Sequence, residues 1–416
     1  MRDQLGGHGM RVLRRIRGRV GVVGAFGLAL SVSLGSVAFG ASSVMATAAM
    51  PVEWNISGPS WVRFSGVSTS SNGEILHAVP DPACGASVAA KGYRSVDGGV
   101  TWNEMSNMPS RFWISVDSSA DGQKVVATGF ECVAGSPSRS EVFRSTDAGI
   151  TWSVSLAFDP LASGTVYGDV STSDDGSRIV AGTNVGVFYS PDAGQTWTSI
   201  HGVDTSGVAI SGNGSIIMIA ERNGPLLVSN DSGATWTVTD PTARSWTNIE
   251  LSTDGRSALA VATRFGSNGG AFFTHDGGIT WSDSGLTSTF VDSQFATGAM
   301  SPNGDTMIVS SYYSDPYVST DGGVSWSVVP TALSSAVGGG WTGFAVAYPV
   351  ASGSPNSAAS RVVAVTENNL IASWDYSESA LSLPATGTES SLMHASLVTV
   401  VGTMVLVVSR RRFRVR

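Results

Sequence analysis

One octapeptide, Ser-x-Asp-x-Gly-x-Thr-Trp, constrains this chain more than any other feature. It reads Ser95-Val96-Asp97-Gly98-Gly99-Val100-Thr101-Trp102 at its first occurrence. It recurs at Ser145–Trp152, Ser190–Trp197, Ser229–Trp236, Thr274–Trp281 and Ser319–Trp326. The six tryptophans stand 50, 45, 39, 45 and 45 residues apart. Self-similarity at this period marks a repeat array, and a four-stranded unit has about this length.

The residue types explain the motif. The Asp carboxylate accepts backbone N–H groups in a turn, and Gly takes the positive-φ position. A β-rich run precedes each copy, such as Val187-Phe188-Tyr189 or Leu226-Leu227-Val228, and an alternating run follows its Trp. Each octapeptide therefore reads as a hairpin turn, with a Trp placed to pack between neighbouring units. A second turn signal precedes each one: Asn72-Gly73, Asp121-Gly122, Asp175-Gly176, Asn213-Gly214, Asp254-Gly255 and Asn303-Gly304. Asx-Gly between apolar runs is a strong hairpin signal. In the second repeat the four strands read as Phe112–Val116, Lys124–Thr128, Glu141–Arg144 and Thr151–Leu156. Strand-like runs at 343–350, 361–366 and 370–372 extend the pattern, followed by a degraded turn, Ser373–Ser377. The missing fourth strand is sought at the other end of the body, in residues 52–57, which would place Trp54 beside the repeat tryptophans. The expected fold is all-β: a seven-bladed β-propeller of four-stranded antiparallel blades, closed by residues 52–57 completing blade seven. Closure removes exposed sheet edges.

The octapeptide is identified as the Asp-box, or BNR, repeat, and the resemblance spans roughly residues 51–377. The family includes sialidases, xyloglucan-cleaving glycosidases, sortilin-type receptors and photosystem II assembly factors. The resemblance implies a structural role, far from the active face, for Asp97, Trp102, Asp147, Trp152, Asp192, Trp197, Asp231, Trp236, Asp276, Trp281, Asp321 and Trp326. Each box offers too few acidic ligands for a calcium loop. Sialidases carry an Arg-Ile-Pro motif before their blades, and none occurs here.

The ends of the chain suggest an address. Residues 1–48 read as a signal peptide: Arg11, Arg14, Arg15, Arg17 and Arg19, then apolar Val20–Gly40, then Ala46-Thr47-Ala48 as a cleavage site. An uncleaved anchor helix is the alternative. Residues 49–377 form the propeller, and 378–386 a linker with a sorting motif. Leu383-Pro384-Ala385-Thr386-Gly387 precedes the apolar run 392–408 and the basic run 410–416. This order resembles an LPxTG cell-wall sorting signal of a Gram-positive bacterium. It implies that a sortase cleaves after Thr386, joins it to peptidoglycan and discards 387–416, with the apolar run as a transient transmembrane helix held by cytoplasmic arginines. A plain tail anchor is the alternative.

Charge narrows the partners. Outside the two tails, 13 Lys and Arg face 30 Asp and Glu, a balance of −17. Such a body is a poor partner for nucleic acid or an anionic membrane. No cofactor or metal site is legible, since His77, His201 and His275 lie in different blades without ligand spacing. Cys84 and Cys132 are the only cysteines, and an even count in a secreted chain favours a disulfide, with a free thiol pair as the alternative. Candidate binding residues sit on the face opposite the boxes: Trp61, Arg111, Trp113, Arg244, Trp246, Arg264, Tyr312, Tyr313 and Trp341. They read either as an aromatic rim with arginines for anionic groups, or as packing, because four of the tryptophans begin a first strand. Loop carboxylates open to catalysis are Asp81, Glu131, Asp159, Asp204, Glu221, Asp240, Asp292, Asp315 and Glu367. The expected function is a wall-anchored glycan- or protein-binding adhesion module, acting as a monomer. An extracellular glycoside hydrolase and a structural wall component are the alternatives.

Overall fold

Each repeat folds into an antiparallel sheet in chain order. The computed structural model describes residues 55–59, 62–81, 89–133, 136–158, 168–263, 269–286, 296–311, 315–329, 340–347, 359–366 and 371–377. The chain divides into two units, Met1–Ala46 and Thr47–Arg416, and every described residue belongs to the second. The first sheet holds β2 (Phe64–Thr69), β3 (Leu76–Pro80), β4 (Tyr93–Ser95) and β5 (Asn103–Glu104). The second holds β6 (Phe112–Ser118), β7 (Val125–Val133), β8 (Ser136–Ser145) and β9 (Ser153–Phe158). The third holds β10 (Asp169–Thr172), β11 (Ile179–Thr183), β12 (Gly186–Ser190) and β13 (Thr198–His201).

Two repeats then share a strand. β14 (Thr205–Ile210), β15 (Ile217–Glu221), β16 (Gly224–Ser229), β17 (Thr237–Leu251), β18 (Ala258–Thr263), β19 (Gly270–Thr274) and β20 (Ser282–Asp283) form one seven-stranded sheet. The first part of β17 pairs with β16 and the second with β18, so one 15-residue strand ends one repeat and begins the next. The next sheet holds β21 (Ala296–Met300), β22 (Met307–Ser311), β23 (Tyr317–Ser319) and β24 (Ser327–Val328). In the last, β25 (Trp341–Ala347), β26 (Ala359–Thr366) and β27 (Ile371–Ser377) are joined by β1 (Asn55–Ser57). Asn55 pairs with Ser373 and Ser57 with Ile371, so the strand expected to complete this sheet does so. Trp54 lies outside the described residues.

One local reading is corrected. Ser373–Ser377, expected to be a degraded box turn, continues β27, with Ser373 opposite Val363 and Ser377 opposite Ala359. The segment lacks the box glycine, so nothing supplies the positive φ that ends the strand in the other repeats.

The core lies between sheets. Val363, Val365 and Ile371 of the last sheet pack on Phe64, Leu76 and Ala78 of the first. Val79 meets Trp113 and Phe143, Val126 meets Val170, Val180 meets Val208, Met218 meets Ile249, Leu259 meets Met300, and Ile308 meets Phe344. The first strands also touch in sequence: β2, β6, β10, β14, β17, β21 and β25, with β25 lying against β2. Second strands such as β3, β11 and β18 are buried along their whole length, which suits their Val- and Ala-rich runs.

The boxes fold as their residue types require. In the first, Asp97 Oδ1 accepts from Ser95 Oγ at 2.7 Å and Thr101 N at 2.9 Å, while Oδ2 accepts from Thr101 Oγ1 at 2.6 Å. The hydrogen bonds from Thr101 and Ser95 hold the Asp97 carboxyl down at about 2. Gly99 sits at φ 89° and donates to Ser95 Oγ at 2.8 Å. The other five boxes repeat the pattern. The Trp links repeats: Nε1 of Trp102 donates to Ser57 of β1, Trp197 to Ser155 of β9, Trp236 to the Ile200 carbonyl and Trp281 to Thr239. Backbone bonds also run from one Asx-Gly turn to the next, from Ser71 N to Ala120 O, Ala120 to Asp174, Asp174 to Gly212, Gly212 to Thr253 and Thr253 to Pro302, all at 2.8–2.9 Å.

Candidate functional site

Strand direction sorts the side chains onto two faces. First and third strands run toward the Asx-Gly turns and boxes; second and fourth strands run away from them. The opposite ends, here the loop face, carry the described ion pairs. The most developed lies where β7 and β8 extend into a long hairpin. Arg111, just before β6, donates from Nε and Nη2 to Glu141 Oε2 at 3.0 and 2.9 Å, and its Nη2 also reaches Glu131 Oε1 at 2.9 Å. Arg139 Nη2 lies 3.3 Å from Glu141 Oε1. Glu141 is buried, with only 2% of its side chain exposed, while Glu131 and Arg139 are open to solvent at 42% and 43%. Arg111 also sits 5.4 Å from the centre of the Phe143 ring.

The same logic recurs around the face. Arg244 lies 3.5 Å from Asp240 and 4.1 Å from the centre of the Phe272 ring. Arg222 Nε bonds Asp204 at 3.0 Å. Arg63 stands 3.8 Å from Asp81, and burial raises the Asp81 carboxyl against the pull of that arginine. His201 Nε2 lies 4.0 Å from Glu221 Oε1 and its ring packs on Trp236. Asp81, Glu131, Asp204, Glu221 and Asp240 thus each face a cationic or imidazole partner. Asp159, Asp292 and Glu367 lie outside the described residues.

The aromatic expectation divides. Trp113, Trp246 and Trp341 are buried, at 1%, 3% and 5% exposure. Trp113 Nε1 donates to the Ala90 carbonyl at 2.8 Å and Trp246 Nε1 to the Gly224 carbonyl at 2.9 Å. These three side chains pack and offer no ring face to a ligand, which corrects their reading as a rim. Their position at the start of a first strand places them against the preceding repeat, where a large ring fills the gap. Trp61, Arg264, Tyr312 and Tyr313 lie outside the described residues. So does Cys84; Cys132 is in β7, and no described cysteine is free. Leu383, Pro384, Ala385, Thr386 and Gly387 also lie outside, as do both apolar tails. Among the described residues no helix is long and apolar enough to cross a membrane, and no group of His, Cys, Asp or Glu is arranged to hold a metal.

A second cluster escaped the sequence reading. Asp117 of β6, Asp169 of β10 and Glu250 of β17 sit on first strands, part-exposed along the interior that these strands line. Asp117 Oδ2 accepts from Thr172 N at 2.8 Å on the neighbouring sheet. Asp169 accepts from Ser115 Oγ at 2.8 Å on one side and Val208 N at 3.2 Å on the other. The carboxylates thus satisfy edge N–H groups of adjoining sheets. Burial pushes Asp117 up to about 6, and Asp169 adds repulsion. Burial pushes Glu250 up to about 8, its bond from Asn248 opposing and the two aspartates adding to the rise. The signal was present: each acid adjoins a buried aliphatic (Val116, Val170, Ile249) within a first strand. It is visible only once those strands are known to face inward.

A family model described as "BNR/Asp-box repeat" matches residues 272–283 and 317–328. No curated protein matches the chain. Among solved structures, "YCF48 bound to D1 peptide" is similar at 16% identity and TM-score 0.52, covering 78% of this chain and 96% of that one. YCF48 from Cyanidioschyzon merolae is similar at 15% identity and TM-score 0.51, covering 77% and 98%. The GH74 enzyme of Niastella koreensis is similar at 16% identity and TM-score 0.57, covering 77% of this chain but 53% of that one, so the chain spans about half its length. These likenesses give the fold: a BNR-repeat propeller.

Proposed function

We propose that this propeller is a surface binding module for a glycan or protein ligand, exported by residues 1–48 and tied to peptidoglycan through Thr386. In this reading it has seven blades and is closed by β1. The pairing of β1 with β27 and the contact of β25 with β2 support the closure. One observation carries binding over catalysis: on the loop face, Asp81, Glu131, Asp204 and Asp240 each face an arginine. An acid and base couple needs two carboxyls about 5–9 Å apart that are free to act on the substrate; here each is engaged by an arginine instead. A set of arginine–carboxylate pairs, open to solvent at Arg63–Asp81 and Arg222–Asp204 and partly buried at Arg111 and Arg244, instead suits recognition of polar, hydrogen-bonding ligands.

The test is a glycan array and polysaccharide pull-down with residues 49–382, run beside a fluorogenic glycoside panel. Saturable binding without turnover, weakened by Arg139→Ala and Glu131→Ala, supports the proposal. Turnover refutes it and favours the second reading, an extracellular glycoside hydrolase. That reading rests on the raised carboxyls of Asp117 and Glu250 and on the fold shared with GH74 enzymes. Silence in both assays favours a structural role in the wall.

A further inference from the structure

The two ends of the described body leave by the same face. β27 is a third strand and runs toward the box face, ending at Ser377. β1 is a fourth strand and starts from that face, with Asn55 opposite Ser373. The segments before Asn55 and after Ser377 therefore both depart beside the boxes, on the last sheet.

The box face is not uniform around this exit. The sixth box position forms the tip of each hairpin. It is Val100 in the first sheet and Ile150 in the second, exposed by 75% and 52%. In the fifth and sixth repeats it is Ile279 and Val324, exposed by 81% and 75%. In the third and fourth it is Gln195 and Ala234. By the contact order of the first strands, the repeats with aliphatic tips are the two on either side of the last sheet, and the others lie farthest from it. At the hairpin tips, large aliphatics project into solvent only in the repeats beside the point where the tether leaves; elsewhere Val185 and Val238 are exposed singly. Single exposed aliphatics are ordinary, but this placement follows the exit.

We infer that the tether side of the box face is a docking surface whose occupant is the peptidoglycan to which the chain is joined. The inference rests on the anchoring reading given above. Nine residues separate Ser377 from Gly387, a reach of at most about 30–35 Å when fully extended. So short a linker holds the exit face toward the wall. Peptidoglycan offers acetyl and alanyl methyl groups to the aliphatic tips. It also offers stem-peptide amines to Asp97, Asp147, Asp276 and Asp321, whose hydrogen bonds hold their carboxyls below the usual range and so charged. An anionic bilayer would repel the same carboxylates. The loop face, with its Arg111 and Arg222 networks, is then turned outward.

The test uses the full chain displayed on a Gram-positive host. Single cysteines replace Ile279, Val324, Ala234 and Arg222, and a polymer-linked maleimide reports their exposure. The expected result is rapid labelling of R222C, slow labelling of I279C and V324C, and loss of that protection when a wall-lytic enzyme releases the protein. A234C on the far side should label faster than I279C. Equal labelling of I279C, V324C and R222C on intact cells overturns the inference. The anchoring reading is tested separately by Thr386→Ala: the parent chain should leave the cells only with a wall-lytic enzyme, whereas uncleaved T386A should stay in the membrane through residues 392–408 and be extracted by detergent alone. If T386A still needs the wall-lytic enzyme for release, anchoring through Thr386 has failed, while the labelling pattern still decides which face is covered. A quadruple V100S/I150S/I279S/V324S chain gives a second readout. Its isolated form should lose the binding to purified wall sacculi that the parent chain shows; equal binding also counts against the inference.

Discussion

Replacing Glu141 by alanine tests the loop-face network most sharply. The carboxylate is buried and accepts two bonds from Arg111 and a contact from Arg139 at 3.3 Å. Removing one partner of a buried ion pair costs about 3–5 kcal/mol. Arg111 keeps Glu131 at 2.9 Å and the Ser110 carbonyl at 2.9 Å, so its charge is not stranded. The loss should therefore fall at the low end, about 3 kcal/mol. In a body of this size that is a drop in Tm of roughly 6–9 °C, at about 2–3 °C per kcal/mol. Glu131→Ala, at a 42% exposed partner, should cost no more than about 1 kcal/mol. Thermal and urea unfolding of the purified propeller, followed by circular dichroism, compares the two. The reasoning is refuted if E141A unfolds within about 1 kcal/mol of the parent, or if E131A costs as much as E141A.

Other outcomes follow from the same structure. Glu250 is raised to about 8, so the folded state binds more protons than the unfolded one. Its stabilising contribution is complete below the ordinary carboxylate range and is lost as pH rises through about 8. Urea midpoints between pH 6.5 and 8.5 should fall for the parent chain and stay flatter for Glu250→Gln; a common slope counts against this. His77 is buried and lowered to about 4, so its contribution is lost as pH falls below the usual imidazole range, and His77→Gln should soften that acid limb of the unfolding curve. Gly278 stands at φ 88° with a would-be Cβ 2.6 Å from Thr239 Oγ1, so Gly278→Ala should destabilise by at least about 1 kcal/mol in urea melts. Trp197→Phe removes the 3.0 Å bond to Ser155 between two sheets and should cost about 1 kcal/mol by the same measurement. If Cys84 and Cys132 pair, intact mass under non-reducing conditions should be two hydrogens lighter than after reduction.

The repeat and its turns were legible because their chemistry is local. Ser95, Asp97, Gly99 and Thr101 satisfy one another within one hairpin, so spacing alone fixes the turn, and the alternating runs fix the strands beside it. The closing strand was legible for a related reason: residues 52–57 resemble the segments that follow each box. Other features depend on which strand lies beside which. Trp113, Trp246 and Trp341 looked equally suited to a ligand and to packing, and only the neighbouring sheet decided for packing. Asp117, Asp169 and Glu250 lie 52 and 81 residues apart in sequence, and their shared repulsion exists only once the first strands face a common interior. The pairing of Arg111 with Glu141, 30 residues away, likewise needed the register of β7 with β8. Local hydrogen bonding set the repeat; contacts between distant segments decided which polar groups are buried, paired or exposed, because burial is a property of neighbours that the linear chain does not adjoin.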